Sequence, residues 1–200
     1  MSLYGLIQIG EITLYQTYHD LEPAISKEVM ESHRSKHHAA YVNGLDAAEE
    51  AIGNTLKAGD IKKQIELQAA IKFNGGGHLN HSLFWETLQP ENSGGGKMVD
   101  GQQCAVQQDS GGLEQLKSSM NASAMSIQGS GYDSKLKKPV IVNTGNQDPL
   151  APQVPILGID MWEHAVYLQH QNRKADYLTN IWKETNFSEA EKRFKKASSW

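Results

Sequence analysis

The sequence predicts an α+β fold in which an all-helical first lobe precedes a lobe of mixed helices and strands. Three observations predict it. Apolar residues recur at helical spacing through residues 22–88, β-prone runs occur only beyond residue 130, and a stretch rich in glycine and glutamine lies between them. The expected division is a helical domain at residues 1–90 and a mixed domain at residues 91–200. No repeated period suggests a solenoid or a barrel.

In the first lobe, Pro23 suits a first helical turn, after which Ile25, Val29, Met30, His33, His37 and Tyr41 trace one broad stripe. This predicts one long helix or a kinked pair over Glu22–Ile52, with Gly44 as a point of interruption. Asp60 is placed to cap a second helix carrying Ile61, Ile65, Leu67 and Ile71, which Gly75, Gly76 and Gly77 end or bend. A third segment, Leu79–Leu88, sets His81 and Trp85 on one face. The glycines and glutamines of Pro90–Gly112 read as a linker, since little apolar periodicity is available to pack them. Leu113, Leu116, Met120, Ala124 and Ile127 then predict a helix stopping near Gly129. Pro139–Val142 and Val154–Ile159 read as short strands, Glu163–Trp182 as a helical region, and Ser188 with Glu191 as the capping box of a terminal helix.

Composition narrows the function classes. With 38% hydrophobic and 21% charged residues the chain is ordinary for a globular protein. A net charge of -4 argues against general affinity for nucleic acid or anionic membrane, and Lys135–Lys138 and Lys192–Lys196 are too short to form a basic tract. Cys104 is the only cysteine, so no internal disulfide forms and a reducing compartment fits. No apolar run approaches the roughly 18 residues of a membrane span. The opening residues lack the pattern of a secretory signal or an Arg-rich transit segment.

His33, His37 and Tyr41 advance by four, so a helix projects them along one face. Asp160-Met161-Trp162-Glu163-His164 follows a buried strand, and a turn there lets Asp160 and His164 converge on an ion. Imidazole and carboxylate ligands without a cysteine cluster suit manganese, iron or zinc, and composition does not choose among them.

The chain resembles the iron/manganese superoxide dismutase family, and its eukaryotic manganese type in particular. The resemblance is carried by His33-Arg34-Ser35-Lys36-His37-His38-Ala39-Ala40-Tyr41, by Phe73-Asn74-Gly75-Gly76-Gly77-His78-Leu79-Asn80-His81 continuing to Trp85, by Asn146-Gln147-Asp148-Pro149, and by Asp160–His164. It implies an N-terminal helical hairpin followed by a C-terminal α/β lobe with a small antiparallel sheet, the metal lying between them. It implies His33, His81, Asp160 and His164 as ligands of one manganese ion per subunit, with iron possible. Tyr41 and Gln147 match the pair linking bulk solvent to the ion, with His37 supporting Tyr41 and with Trp85 and Trp162 lining the pocket. Glutamine at 147 with glycine at 77 resembles the manganese type.

The implied activity converts superoxide to dioxygen and hydrogen peroxide by Mn(III)/Mn(II) cycling. The implied assembly is at least a homodimer, in which Glu163 and Tyr167 reach across a two-fold axis, with a tetramer as an alternative. The family implies the mitochondrial matrix, whereas the missing transit pattern leaves the cytoplasm as the alternative. There are departures. Tyr132-Asp133-Ser134-Lys135 stands where the family has a Trp-rich strand, the path on to Asn146 is shortened, Gly101–Gly112 replaces a charged helix, Val166 replaces an aromatic, and Arg34 a histidine. Loss of an aromatic wall and of part of an edge strand is therefore expected, and an interaction protein of little or no activity on the same scaffold is the second functional reading.

Overall fold

The computed structural model describes residues 17–98, 106, 111–125, 130–133, 138–150 and 153–198. Helix α1 (Lys27–Ser32) starts where the Ser26 side chain accepts the backbone N–H of Val29, later than the expected Glu22 because residues before that cap form turns. The chain continues through a π-helical turn (His33–His38) into α2 (Ala39–Ala58), which ends at Gly59 in the left-handed conformation. The wide turn alters the expected stripe: His33 and His38 are both buried, whereas His37 is half-buried.

Gly44 does not interrupt α2. A Cβ there would fall 2.4 Å from the Asn74 side chain, so glycine lets α2 approach its antiparallel partner α3 (Ile61–Glu86). Asp60 caps α3 as expected, accepting from Lys63 N at 3.0 Å. Contrary to expectation, α3 runs unbroken through Gly75, Gly76 and Gly77 to Glu86. Those glycines answer to close packing rather than to a turn. A Cβ on Gly76 would lie 1.9 Å from the Gln147 carbonyl oxygen, and one on Gly77 would lie 2.5 Å from the Tyr41 ring.

The first part of the expected linker is strapped down. Gln89 N donates to Glu184 O, Gly96 N donates to Thr185 O, and Leu88 bridges Thr185. Helix α4 (Leu113–Ala124) stops short of the expected Gly129 and buries Met120 and Ala124. Strands β1 (Ser130–Asp133), β2 (Lys138–Ile141) and β3 (Val154–Leu157) form an antiparallel sheet in the order β2-β1-β3. The segment expected to lose part of an edge strand thus supplies the central strand, paired on both sides. Cys104 and Lys135–Lys137 lie outside the described residues, as do residues 126–129 of the expected helix.

The expected Glu163–Trp182 helix is two helices, α5 (Glu163–His170) and α6 (Lys174–Ile181), parted at Gln171, whose φ of 53° breaks the ladder. Asn186, not Ser188, caps α7 (Phe187–Ser198), its side chain accepting from Glu189 N. One core joins the lobes: Val29, Met30, Phe84 and Trp85 pack in the same cluster as Leu157, Ile159, Val166 and Tyr177. The residue 166 that departs from the resembled pattern is fully buried there.

Candidate metal centre

Four side chains from four places in the chain converge between the helical hairpin and the sheet. His33 comes from the π-helical turn and His81 from within α3. Asp160 follows β3, and His164 lies in the first turn of α5. Asp160 Oδ2 is 3.1 Å from His33 Nε2, 3.4 Å from His164 Nε2 and 3.6 Å from His81 Nε2. Donors about 2.1 Å from a common ion lie about 3.0 Å apart at right angles and about 3.6 Å apart at 120°. The observed spacings fall in that range, and all four donor atoms lie within 4.8 Å of one another.

The three Nε2 atoms are buried and have no well-aligned hydrogen bond to any described residue, His33 and His164 making only close approaches to Asp160. Three unsatisfied buried nitrogens facing one carboxylate are costly unless a cation completes them. The donor set therefore fits a divalent or trivalent first-row ion. His81 is already oriented: its Nδ1 lies 2.7 Å from the Gly77 carbonyl oxygen, which leaves Nε2 for the ion. Tyr177 donates to the Asp160 carbonyl at 2.7 Å, and Asp160 Oδ1 accepts from Trp162 N at 2.9 Å. One carboxylate oxygen is thus tied to the backbone just before α5 while the other faces the histidines.

The electrostatics favour ligand protonation states. Burial lowers the His33 imidazole to about 4 even beside Asp160, and it lowers His81 as well, so both nitrogens stay neutral near pH 7. Burial by itself would raise the Asp160 carboxyl; the histidines around it, His164 and His33 foremost, hold it well below the usual range.

Around the four lie the other residues expected from sequence. The Tyr41 ring is 5.1 Å from that of His81, and its hydroxyl is within hydrogen-bonding reach of Gln147. Burial, then the Asp160 charge, raises the Tyr41 phenol. Gln147 is buried with its amide nitrogen unpartnered, and it shares a pocket with His81, Asp160 and Trp162. Trp85 lies edge-on to His33 at 4.8 Å, and Trp162 stacks on His164 at 5.9 Å. His37, expected beside Tyr41, has its ring stacked on His164 at 4.2 Å. Glu163 and Tyr167 are exposed on one face with His37, His164 and Leu168. Sequence reasoning missed His38 and His78, buried and hydrogen-bonded to each other at 2.9 Å. A regular helix would have turned His38 away from His33, so only the π-helical turn reveals it.

A helical hairpin joined to a small antiparallel sheet around three histidines and an aspartate has the make-up of a metal-binding protein with one ion between its lobes. The family model described as iron/manganese superoxide dismutases, alpha-hairpin domain, matches residues 12–89, and that for the C-terminal domain matches residues 100–193. The chain belongs to the iron/manganese superoxide dismutase family. It is 53% identical over 191 residues to the mitochondrial manganese superoxide dismutase of Cryptococcus neoformans var. grubii, covering 90% of this chain and 83% of that protein. It is 47% identical to the mitochondrial manganese superoxide dismutase of Aspergillus fumigatus, covering 88% of each chain. It is 48% identical to the mitochondrial manganese superoxide dismutase 3.1 of Zea mays, covering 94% of this chain and 85% of that one.

Proposed function

We infer that this chain disproportionates superoxide at one manganese ion held by His33, His81, Asp160 and His164. Its family and its manganese-enzyme relatives make it a superoxide dismutase and an oxidoreductase. The observation that carries the residue assignment is the set of three buried, unsatisfied Nε2 atoms facing Asp160. When bound, manganese supplies the alternating one-electron steps that convert two superoxide ions to dioxygen and hydrogen peroxide. The Asp160 carboxylate lowers the positive charge of the centre and, through Trp162 N, ties it to α5.

Peroxide formation consumes two protons. Tyr41 supports one source, because its raised phenol stays protonated through neutral pH while the residue remains partly exposed for replenishment from solvent. The unpartnered amide nitrogen of Gln147 is a donor for solvent at the centre and thereby a means of tuning potential. Manganese rather than iron fits the glutamine at 147 and the names of the relatives. The ground for an inactive scaffold weakens, since β1 is present and doubly paired.

The proposed division remains a hairpin domain at residues 1–90 and a C-terminal domain at 91–200. A homodimer formed through Glu163 and Tyr167 is supported by their exposure beside His164 and by the adjoining Leu168, 52% exposed. The relatives are mitochondrial, which supports the matrix and gives the cytoplasmic alternative no support. Among the described residues no helix is long and apolar enough to cross a membrane.

Metal analysis of the purified chain with a superoxide-consumption assay tests the reading. One manganese per chain with rapid turnover is expected, and Gln147→Ala is expected to keep the metal while shifting the potential and slowing turnover. A folded wild-type chain that neither binds manganese nor consumes superoxide rejects the reading. Unchanged potential and turnover in the variant would remove Gln147 from the tuning role.

A further inference from the structure

Trp85, His38 and His78 form a buried hydrogen-bonded chain behind the proposed metal ligands. The Trp85 indole N–H donates to His38 Nδ1 at 3.0 Å, and His38 Nε2 lies 2.9 Å from His78 Nδ1. All three side chains are buried. The chemistry of the groups gives the chain one direction. An indole nitrogen only donates, so His38 Nδ1 must be the accepting nitrogen. The neutral His38 ring then carries its proton on Nε2 and donates it to His78 Nδ1. His78 therefore accepts at Nδ1 and carries its own proton on Nε2.

This chain touches the cage on two sides. The His38 ring stacks on His81 with centroids 5.4 Å apart and planes 16° apart. Trp85 stands edge-on to His33 at 4.8 Å and lies 6.2 Å from His81. Were His38 to carry its proton on Nδ1, two N–H groups would face each other across the Trp85 contact, and both would lose a partner in a buried site. Rotation of the indole or of the His38 ring is thus opposed by the same chain of bonds.

We propose that His38 and His78 are positioning residues, whose one-way chain from Trp85 fixes the planes that hold the His33 and His81 imidazoles toward the ion. The proposal rests on the manganese reading above. Partners that orient ligand histidines are typically worth about 10- to 100-fold in metal affinity.

Two substitutions at one position separate hydrogen bonding from packing. His78→Asn puts an amide oxygen where Nδ1 accepts, whereas His78→Leu fills similar space without an acceptor. In the manganese-loaded enzyme, His78→Leu is expected to lower manganese affinity about 10- to 100-fold. It is also expected to shift the Mn(III) visible absorption and the Mn(II) electron paramagnetic resonance pattern, with His78→Asn restoring both. Neutron diffraction from wild-type holoenzyme crystals is expected to show a deuteron on His38 Nε2 and none on Nδ1. Deuteration at Nδ1 overturns the chain whether or not either variant folds. Equal impairment of the two variants overturns it too, as do wild-type affinity and spectra in the leucine variant. A wild-type chain that takes up no manganese overturns the functional reading together with this inference, whereas manganese uptake with an unaffected leucine variant overturns this inference alone.

Discussion

The helical hairpin brings His33 and His81 to the centre from the interiors of helical segments, whereas the C-terminal lobe brings Asp160 and His164 from a strand exit and the helix after it. The first pair is held by backbone ladders, by the His81 contact with Gly77 and by the packing of Trp85. The second pair adds distant contacts to local ones: Asp160 accepts from Trp162 N two residues on, and its carbonyl accepts from the Tyr177 hydroxyl. Preorganisation in the first lobe comes mainly from helix interiors, and in the second from a strand exit fastened by both local and tertiary bonds. Substitutions that separate ligand loss from loss of the join between the lobes sharpen this contrast.

The largest effect is expected at the ligands. His81→Ala and Asp160→Ala each remove one of four donors, so metal analysis should find stoichiometric manganese in neither. Asp160→Ala also deletes the acceptor for Trp162 N, the residue that leads into α5, so the start of α5 should loosen in that variant alone. Hydrogen exchange along α5 measures this. Full manganese occupancy in either variant would reject the assigned ligands.

Next comes the seam between the lobes. A methyl on Gly76 would meet the Gln147 carbonyl oxygen at 1.9 Å, a backbone atom that cannot swing aside. Gly76→Ala should therefore cost roughly 1–3 kcal/mol in unfolding free energy and impair turnover by displacing Gln147. Unchanged stability would show that the loop yields freely and that the seam is not a precise fit.

The same contrast governs what could be read before the fold was known. The helices and the four side chains that converge were legible because His33, His81, Asp160 and His164 sit in ordered sequence blocks, and because helical periodicity is a local property. The roles of Gly44, Gly76 and Gly77 were not, since a glycine needed for close approach looks in sequence like one that ends a helix. The π-helical turn was equally hidden, and with it the burial of His38. Asn186 capping α7 in place of Ser188 was a local contest between two good caps, decided by where the preceding segment joins Thr87.

A smaller effect is expected where the segment after the hairpin is clasped. Glu184 is 2% exposed, accepts from Glu91 N at 3.1 Å, and is raised by burial to about 7. The folded chain thus holds this proton more tightly than the unfolded chain, whose carboxyl titrates near 4.5. Its contribution is fully present below about pH 4.5 and is lost as pH rises to about 7, by an amount on the order of 1–3 kcal/mol. Glu184→Gln keeps an acceptor but does not ionise, so its advantage over wild type should appear above pH 7 and fade toward pH 5. Parallel stability profiles across that range would show that Glu184 ionises without cost in the fold.

The smallest effect has the opposite sign and comes from Gly53, which shares α2 with Gly44. A Cβ at Gly44 would collide with Asn74, but one at Gly53 would meet nothing within 4 Å, and Gly53 has no positive φ. Glycine within a helix costs about 0.5–1 kcal/mol relative to alanine, because it gives up more backbone freedom on folding. Gly53→Ala should therefore raise stability by roughly that amount, or about 1–4 °C in midpoint for a chain of this size. Manganese occupancy and turnover should stay as in wild type, since the centre does not depend on this end of the hairpin. Gly44→Ala, in the same helix, should destabilise instead by displacing the Asn74 side chain from its bond to the Ala70 carbonyl. Thermal unfolding of the two variants side by side decides the matter: equal shifts would mean that helix propensity alone governs both glycines and that close approach at Gly44 carries no weight.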